Sequence, residues 1–383
     1  MTYHSKMDFA EEAMKKHKAL GGKIEIQLKD KLDSLEKLST YYTPGVAAVS
    51  SYVAEHLNEA RDYTWLNNSV GIISDGSAVL GLGNIGPFGA LPVMEGKSML
   101  FKHFAGIDAV PIVLDVHKAE EIVAAVIAIA PSFGAINLED IASPQCFYIE
   151  EELKTALDIP VMHDDQHGTA IVVLAGLINA MKVVGKSLHD CRIVIAGAGA
   201  AGTAVIKLLD VYTKPMMLAV DSQGIVSRNR EGLTLEKREL LSFTNSNGLD
   251  GILEDALVGA DVFIGVSKGG LLTRDMIKTM AKDPVIFAMA NPMPEIMPIE
   301  AKLAGAAVVA TGRSDFPNQI NNALAFPGIF RGALDNRVNR ISIQHKVSTA
   351  EAIANLVENP TADKIIPSIL DTRLVPAIAK VII

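Results

Sequence analysis

The segment RIVIAGAGAAGTAVIKLL, residues 192–209, constrains the fold of this chain more than any other. RIVIA reads as a buried strand and TAVIKLL as an apolar helix, with Gly197, Gly199 and Gly202 spaced GxGxxG between them. Glycines at this spacing allow a tight turn and the close approach of a pyrophosphate, whose charge the helix N-terminus stabilises. The strand MMLAV follows and runs into Asp221, 19 residues past Gly202, where a carboxylate can accept hydrogen bonds from ribose hydroxyls. Residues Gly197, Ala198, Gly199, Ala200, Ala201 and Gly202, with Asp221, are therefore expected to bind a dinucleotide. Asp221 would repel a 2′-phosphate and favours NAD, while Arg228 and Arg230 are near enough in sequence to offer contacts to NADP.

A unit of this kind belongs to an α/β protein, and 383 residues are enough for two domains. From about Thr169 helices and strands alternate: helix Ala170–Val183, then strands at 192–196, 216–220, 261–265, 285–290 and 307–311. This predicts a Rossmann-type, doubly wound parallel sheet over residues 163–383, with C-terminal helices packing back onto the first domain. Residues 1–162 read as a smaller N-terminal α/β domain with surface helices in 8–38 and strands at 70–75 and 109–116. A second GxGxxG, Gly81-Gly83-Gly86, is followed by Pro87 and Pro92, so it predicts a loop that brings Lys97 to the cleft rather than a helix start.

A net charge of −9 argues against nucleic acid as a partner. The longest purely apolar run, Ile122–Ala130, is nine residues, too short for a bilayer span, and no signal-peptide stretch opens the chain. Cys146 and Cys191 have no metal-site or disulfide spacing. A cytoplasmic protein is expected.

Two acidic clusters end apolar, strand-like runs: Glu139 and Asp140 after FGAINL, Asp164 and Asp165 after IPVM. Isolated buried carboxylates are costly, and hard divalent cations bind oxygen ligands of this kind. Singly, these residues would also serve as helix caps; together they favour a metal site. Tyr42, in the turn YYTPGVA, and Lys97, between a glycine and an apolar stretch, are candidate acid and base. Burial beside apolar groups and a cation would lower the lysine pKa into a usable range. Spacing alone leaves Lys102, His103 and Tyr41 open as alternatives.

Taken in order, YTPGVA, GLGNIGPFGALPVMEGKSMLFKHFAGIDA, NLEDIA, HDDQHGTA, GAGAAG, VDSQG, ANPMPE and DFPNQINNALAFPG resemble the malic enzymes, in particular the short bacterial class, over nearly the whole chain. The resemblance implies oxidative decarboxylation of L-malate to pyruvate and CO2 with reduction of NAD(P). It implies Mg²⁺ or Mn²⁺ on Glu139, Asp140 and Asp165, Lys97 taking the C2 hydroxyl proton, and Tyr42 protonating C3. Asn291, also beside the cofactor, and Asn322 would hold the substrate carboxylate, and Asp164 would lie behind the ligands or start a helix. Ala78 stands where longer relatives carry an arginine, and Lys268 where a small residue or proline is usual. A metal-dependent oxaloacetate decarboxylase on the same scaffold is the alternative, and a homodimer or larger homo-oligomer is expected.

Overall fold

The computed structural model describes residues 9–79 and 81–383. Asp8, which opens the predicted N-terminal helical region, lies outside them. Four helices come first, α1 (Phe9–Leu20), α2 (Leu35–Tyr41), α3 (Val46–Glu55) and α4 (Ala60–Tyr63), and none of their residues is buried. Then β1 (Ser69–Ser74), α5 (Gly86–Ala105), β2 (Asp108–Val113), α6 (Ala119–Ile129), β3 (Ala135–Leu138), α7 (Gln145–Ala156) and β4 (Val161–His163) form a parallel sheet in the order β2-β1-β3-β4. The central strand β1 is buried along its whole length and edge strand β2 only partly.

α8 (Asp164–Val184) leads into β5 (Arg192–Ala196), α9 (Ala200–Tyr212), β6 (Met216–Asp221) and β7 (Gly224–Ile225). α10 (Leu235–Leu240), α11 (Leu253–Leu257), β8 (Val262–Gly265), α12 (Arg274–Thr279), β9 (Val285–Ala288), α13 (Pro298–Leu303) and β10 (Val308–Thr311) complete the second sheet. Its order is β10-β9-β8-β5-β6-β7. All neighbours run parallel except β7, which turns straight back antiparallel on β6 where a third crossover strand would lie in a full doubly wound sheet. The C-terminal helices α14 (Phe326–Asp335), α15 (Ile343–Asn355) and α16 (Leu374–Ala379) follow.

Two expectations need correction. A helix does start at the third glycine of the first GxGxxG: α5 begins at Gly86, with Pro87 in its first turn, where no N–H is needed, and Pro92 inside it. Lys97 therefore rides on a helix, not on a loop. Second, α8 starts six residues before the predicted Ala170 and is, at 21 residues and a mean hydropathy of 1.6 over its most apolar 18, long and apolar enough to cross a bilayer. It is instead a core helix, with 67% of its most apolar stretch buried. It packs on α9 and α15 and joins a core continuous from Phe101 of α5 to Ile193 of β5 and Ile378 of α16.

The C-terminal helices reach the first sheet's helices, as expected. Phe101 packs on Phe326 and Phe330 with ring centroids 4.7 and 5.4 Å apart, contacts worth about 0.5–1.5 kcal/mol each beyond area burial. Arg331 donates to Asn68 Oδ1 at 2.6 Å, and Arg337 pairs with Asp62.

Candidate active site

Strand register builds the acidic centre. Leu138 pairs with His163 across β3 and β4, so the residues that leave these strands, Glu139-Asp140 and Asp164-Asp165, emerge side by side at the carboxyl end of the sheet. One ligand oxygen each from Glu139, Asp140 and Asp165 lie within 4.8 Å of one another. The Asp140 amide donates to Asp165 Oδ2 at 2.7 Å, from a left-handed backbone conformation (φ 54°) that folds the loop onto the helix start. Asn137 donates to Glu139 Oε2 at 2.9 Å.

Lys97 reaches this centre from α5. Its Nζ donates to Glu139 Oε1 at 2.8 Å and to Asp164 Oδ2, and lies 4.0 Å from the centroid of the Phe326 ring. Burial works to depress the lysine, but Asp164, Glu139 and Asp165 outweigh it and hold the pKa above its ordinary value. The lowering expected of Lys97 was that of a lysine beside a bound cation; with the carboxylates uncompensated, their charge outweighs burial. Burial pushes Glu139 well above the ordinary carboxylate range, against the pull of Lys97, and raises Asp164 as well. Asp164 Oδ1 is buried without a hydrogen-bond partner among the described residues. Three converging carboxylates, one driven toward protonation by burial, make an oxygen-rich set that fits a hard divalent cation.

Asn322 opens the short turn before α14, and its Cβ stands where a Cβ on Gly168 would come within 3.0 Å of it and 1.9 Å of Asp164 Oδ1. The missing side chain at Gly168 is what lets Asp164, on the first turn of α8, and Asn322 share one space. Asn291 lies beyond the end of β9; its side chain meets Gly312, and its carbonyl stands 2.8 Å from where a Cβ on Gly81 would be. The first glycine loop therefore abuts Asn291. Tyr42 is not brought in: it is 67% exposed on the unburied N-terminal segment, and its hydroxyl bonds no described residue.

On the second sheet, the Gly197–Gly202 loop has the geometry of a phosphate cradle. A Cβ on Gly202 would meet Gly197 O at 1.7 Å and one on Gly197 would meet Val266 O at 2.8 Å, while Gly199 faces open space. A cavity of about 620 Å³ extends from Gly197 to Asp221, Glu254 and Lys268. Asp221 is already engaged: Arg230 grips both its oxygens at 3.0 Å, Lys237 donates at 2.7 Å, and the Gln223 amide at 2.8 Å. These partners overcome burial and hold the carboxyl down at about 2. Arg230 was legible as a nearby cation; Lys237, 16 residues away, carried no local signal.

Malic enzyme, N-terminal domain is the family that residues 21–154 match, and Malic enzyme, NAD binding domain is the one for residues 166–382. The chain is 53% identical over 379 residues to a bifunctional malic/malolactic enzyme of Bacillus subtilis, covering 98% of this chain and 92% of that protein. It is 50% identical over 366 residues to an NAD-dependent malic enzyme of Geobacillus stearothermophilus, covering 95% and 76%. The crystal structure of an NAD-dependent malic enzyme from Thermotoga maritima superposes with a TM-score of 0.93 at 48% identity, covering 97% of this chain and 98% of that one. With both halves matched in order and the fold shared throughout, the chain belongs to the malic enzyme family.

Proposed function

We propose that this NAD(P)-dependent malic enzyme oxidatively decarboxylates L-malate at the meeting of Lys97, Glu139, Asp140, Asp164, Asp165 and Asn322. The buried lysine in direct contact with two carboxylates beside a three-carboxylate set is the observation that carries the assignment. Glu139, Asp140 and Asp165 would hold Mg²⁺ or Mn²⁺, which when bound supplies a Lewis acid for the substrate's C2 oxygen and for the enolate charge. NAD(P) on the Gly197–Gly202 loop supplies the hydride acceptor. Lys97 is the group placed to move the proton at the C2 hydroxyl, and Asp164, in contact with its Nζ, orients it. Asn291 and Asn322 present amide donors to the substrate carboxylate, and Phe326 closes the lysine from water. The division between the two domains falls at 162/163 in this reading, and the enzyme works in the cytoplasm.

Tyr42 is placed to protonate C3 only if another chain covers it. Helices α1–α4 bury nothing of their own, yet they and the turns after α2 and α4 expose Tyr41, Tyr42, Val49, Tyr52, Tyr63 and Trp65. A second copy of the chain is the partner that accounts for this apolar face, in a homodimer whose sites each take Tyr42 from the neighbour.

The purified protein with L-malate and Mn²⁺, given NAD or NADP in parallel, should yield reduced cofactor and pyruvate in equal amounts, both abolished by a chelator. Pyruvate from oxaloacetate without any cofactor reduction from malate would replace this reading with the decarboxylase.

A further inference from the structure

A chain of side chains that begins in the last helices holds the acidic centre from behind, and we propose that Lys346 anchors it as a positioning residue for the metal. The inference rests on the reading that Glu139, Asp140 and Asp165 bind a divalent cation. Lys346 lies on α15 and is buried, with its Nζ 2.9 Å from Nδ1 of His167 on α8. A lysine ammonium has no acceptor, so His167 Nδ1 accepts and the proton of that imidazole sits on Nε2. Nε2–H donates to Glu150 Oε2 on α7 at 2.8 Å. The other oxygen of Glu150 accepts the backbone amide of His163, the last residue of β4, at 2.9 Å.

His163 carries the constraint forward. Its Nδ1 lies 3.0 Å from the Gln166 amide, and its Nε2 stands 3.3 Å from Asp165 Oδ2, an electrostatic contact without hydrogen-bond geometry. Asp165 Oδ2 in turn receives the Asp140 amide. Three elements, α7, α8 and α15, are thus locked to one another at the point where β4 becomes α8 and delivers Asp165. None of Lys346, His167 or Glu150 is among the carboxylates of the centre, and the reaction gives them no other task. Groups that orient metal ligands from outside commonly set affinity by 10–100-fold.

The test is Mn²⁺ binding to metal-free full-length protein, followed by the electron paramagnetic resonance signal of free Mn²⁺. Lys346→Met should weaken Mn²⁺ about tenfold and leave cofactor affinity, read by fluorescence, unchanged. Lys346→Arg, which keeps a donor for Nδ1, should restore most of the loss. Glu150→Gln should weaken binding similarly, and the double variant K346M/E150Q should be no worse than either alone, since all break one chain. Native Mn²⁺ affinity in K346M overturns the inference; if that variant does not fold, native affinity in E150Q does so. Asp165→Asn serves as the control and should lose Mn²⁺ binding outright. Native affinity in that variant would overturn the metal site itself, an outcome distinguishable from failure of the Lys346 chain alone.

Discussion

At the scale of single residues, the site depends as much on atoms that are missing as on those present. Gly168→Ala puts a methyl group into the space of Asp164 Oδ1 and against Asn322. Overpacking of that kind costs about 1–3 kcal/mol, so the variant should melt several degrees lower and lose most malate turnover while cofactor binding persists. Asp221 illustrates the limits of reading one residue from its neighbours in sequence. Its place at the end of β6 was legible from the mononucleotide pattern, but its ligation by Arg230 and Lys237 depends on a turn and a helix that fold back over the strand. Arg230→Ala should free the carboxylate for ribose hydroxyls and remove a phosphate partner. We expect kcat/KM for NADP relative to NAD to fall at least about tenfold, measured by parallel steady-state assays. Lys97 shows the same limit: its apolar neighbours in sequence said nothing of the carboxylates it touches, which come from 42 and 67 residues away.

Between elements, the legible features were those with a local period or a local turn. Strand β5 matches its expected bounds, and β1, β2 and β6 match to within a few residues, because a short apolar run bounded by polar and turn residues leaves a pattern in the sequence itself. The helix at Gly86 was missed because proline was weighed as a breaker when it stood at the tolerated first turn. The β4–α8 junction has a pH signature. Burial pushes His167 down to about 4 against the pull of Glu150, with Lys346 lowering it further. An unfolded histidine titrates near ~6.5, so between pH 6.5 and 4 the unfolded state binds the extra proton and stability falls as pH falls. The group supports folding fully above that window and loses its contribution within it. Urea unfolding across the range should show a steeper loss for the native chain than for His167→Gln, by up to about 1.4 kcal/mol per pH unit.

For the whole molecule, the question is what covers helices α1–α4. If each site takes Tyr42 from the neighbouring chain, mixing two inactive variants restores turnover. Tyr42→Phe and Lys97→Ala chains, dissociated and reassociated together, form hybrids in which one site has both native groups. At random pairing about a quarter of all sites would be active, whereas sites built within one chain would stay silent. Light scattering on the same samples reports the assembly state. This level was the least legible of the three: the N-terminal helices were recognisable as surface elements, but an apolar face turned outward has no counterpart within one chain to reveal its purpose.

The helix that runs from Asp164 to Val184 has a consequence for how such a protein can vary. Its first residues meet the acidic centre, and its body lies against α9, whose own start forms the nucleotide loop. The acidic centre and the nucleotide loop are therefore both braced on one helix rather than joined only by a flexible connection. Removing one residue from its middle would draw its ends together by ~1.5 Å and rotate one relative to the other by about 100°, turning the carboxylates away from the cofactor. Substitutions along this rod can be absorbed by repacking; changes in its length cannot, so the phase between the carboxylates at its start and the helices packed on its body is written as a residue count.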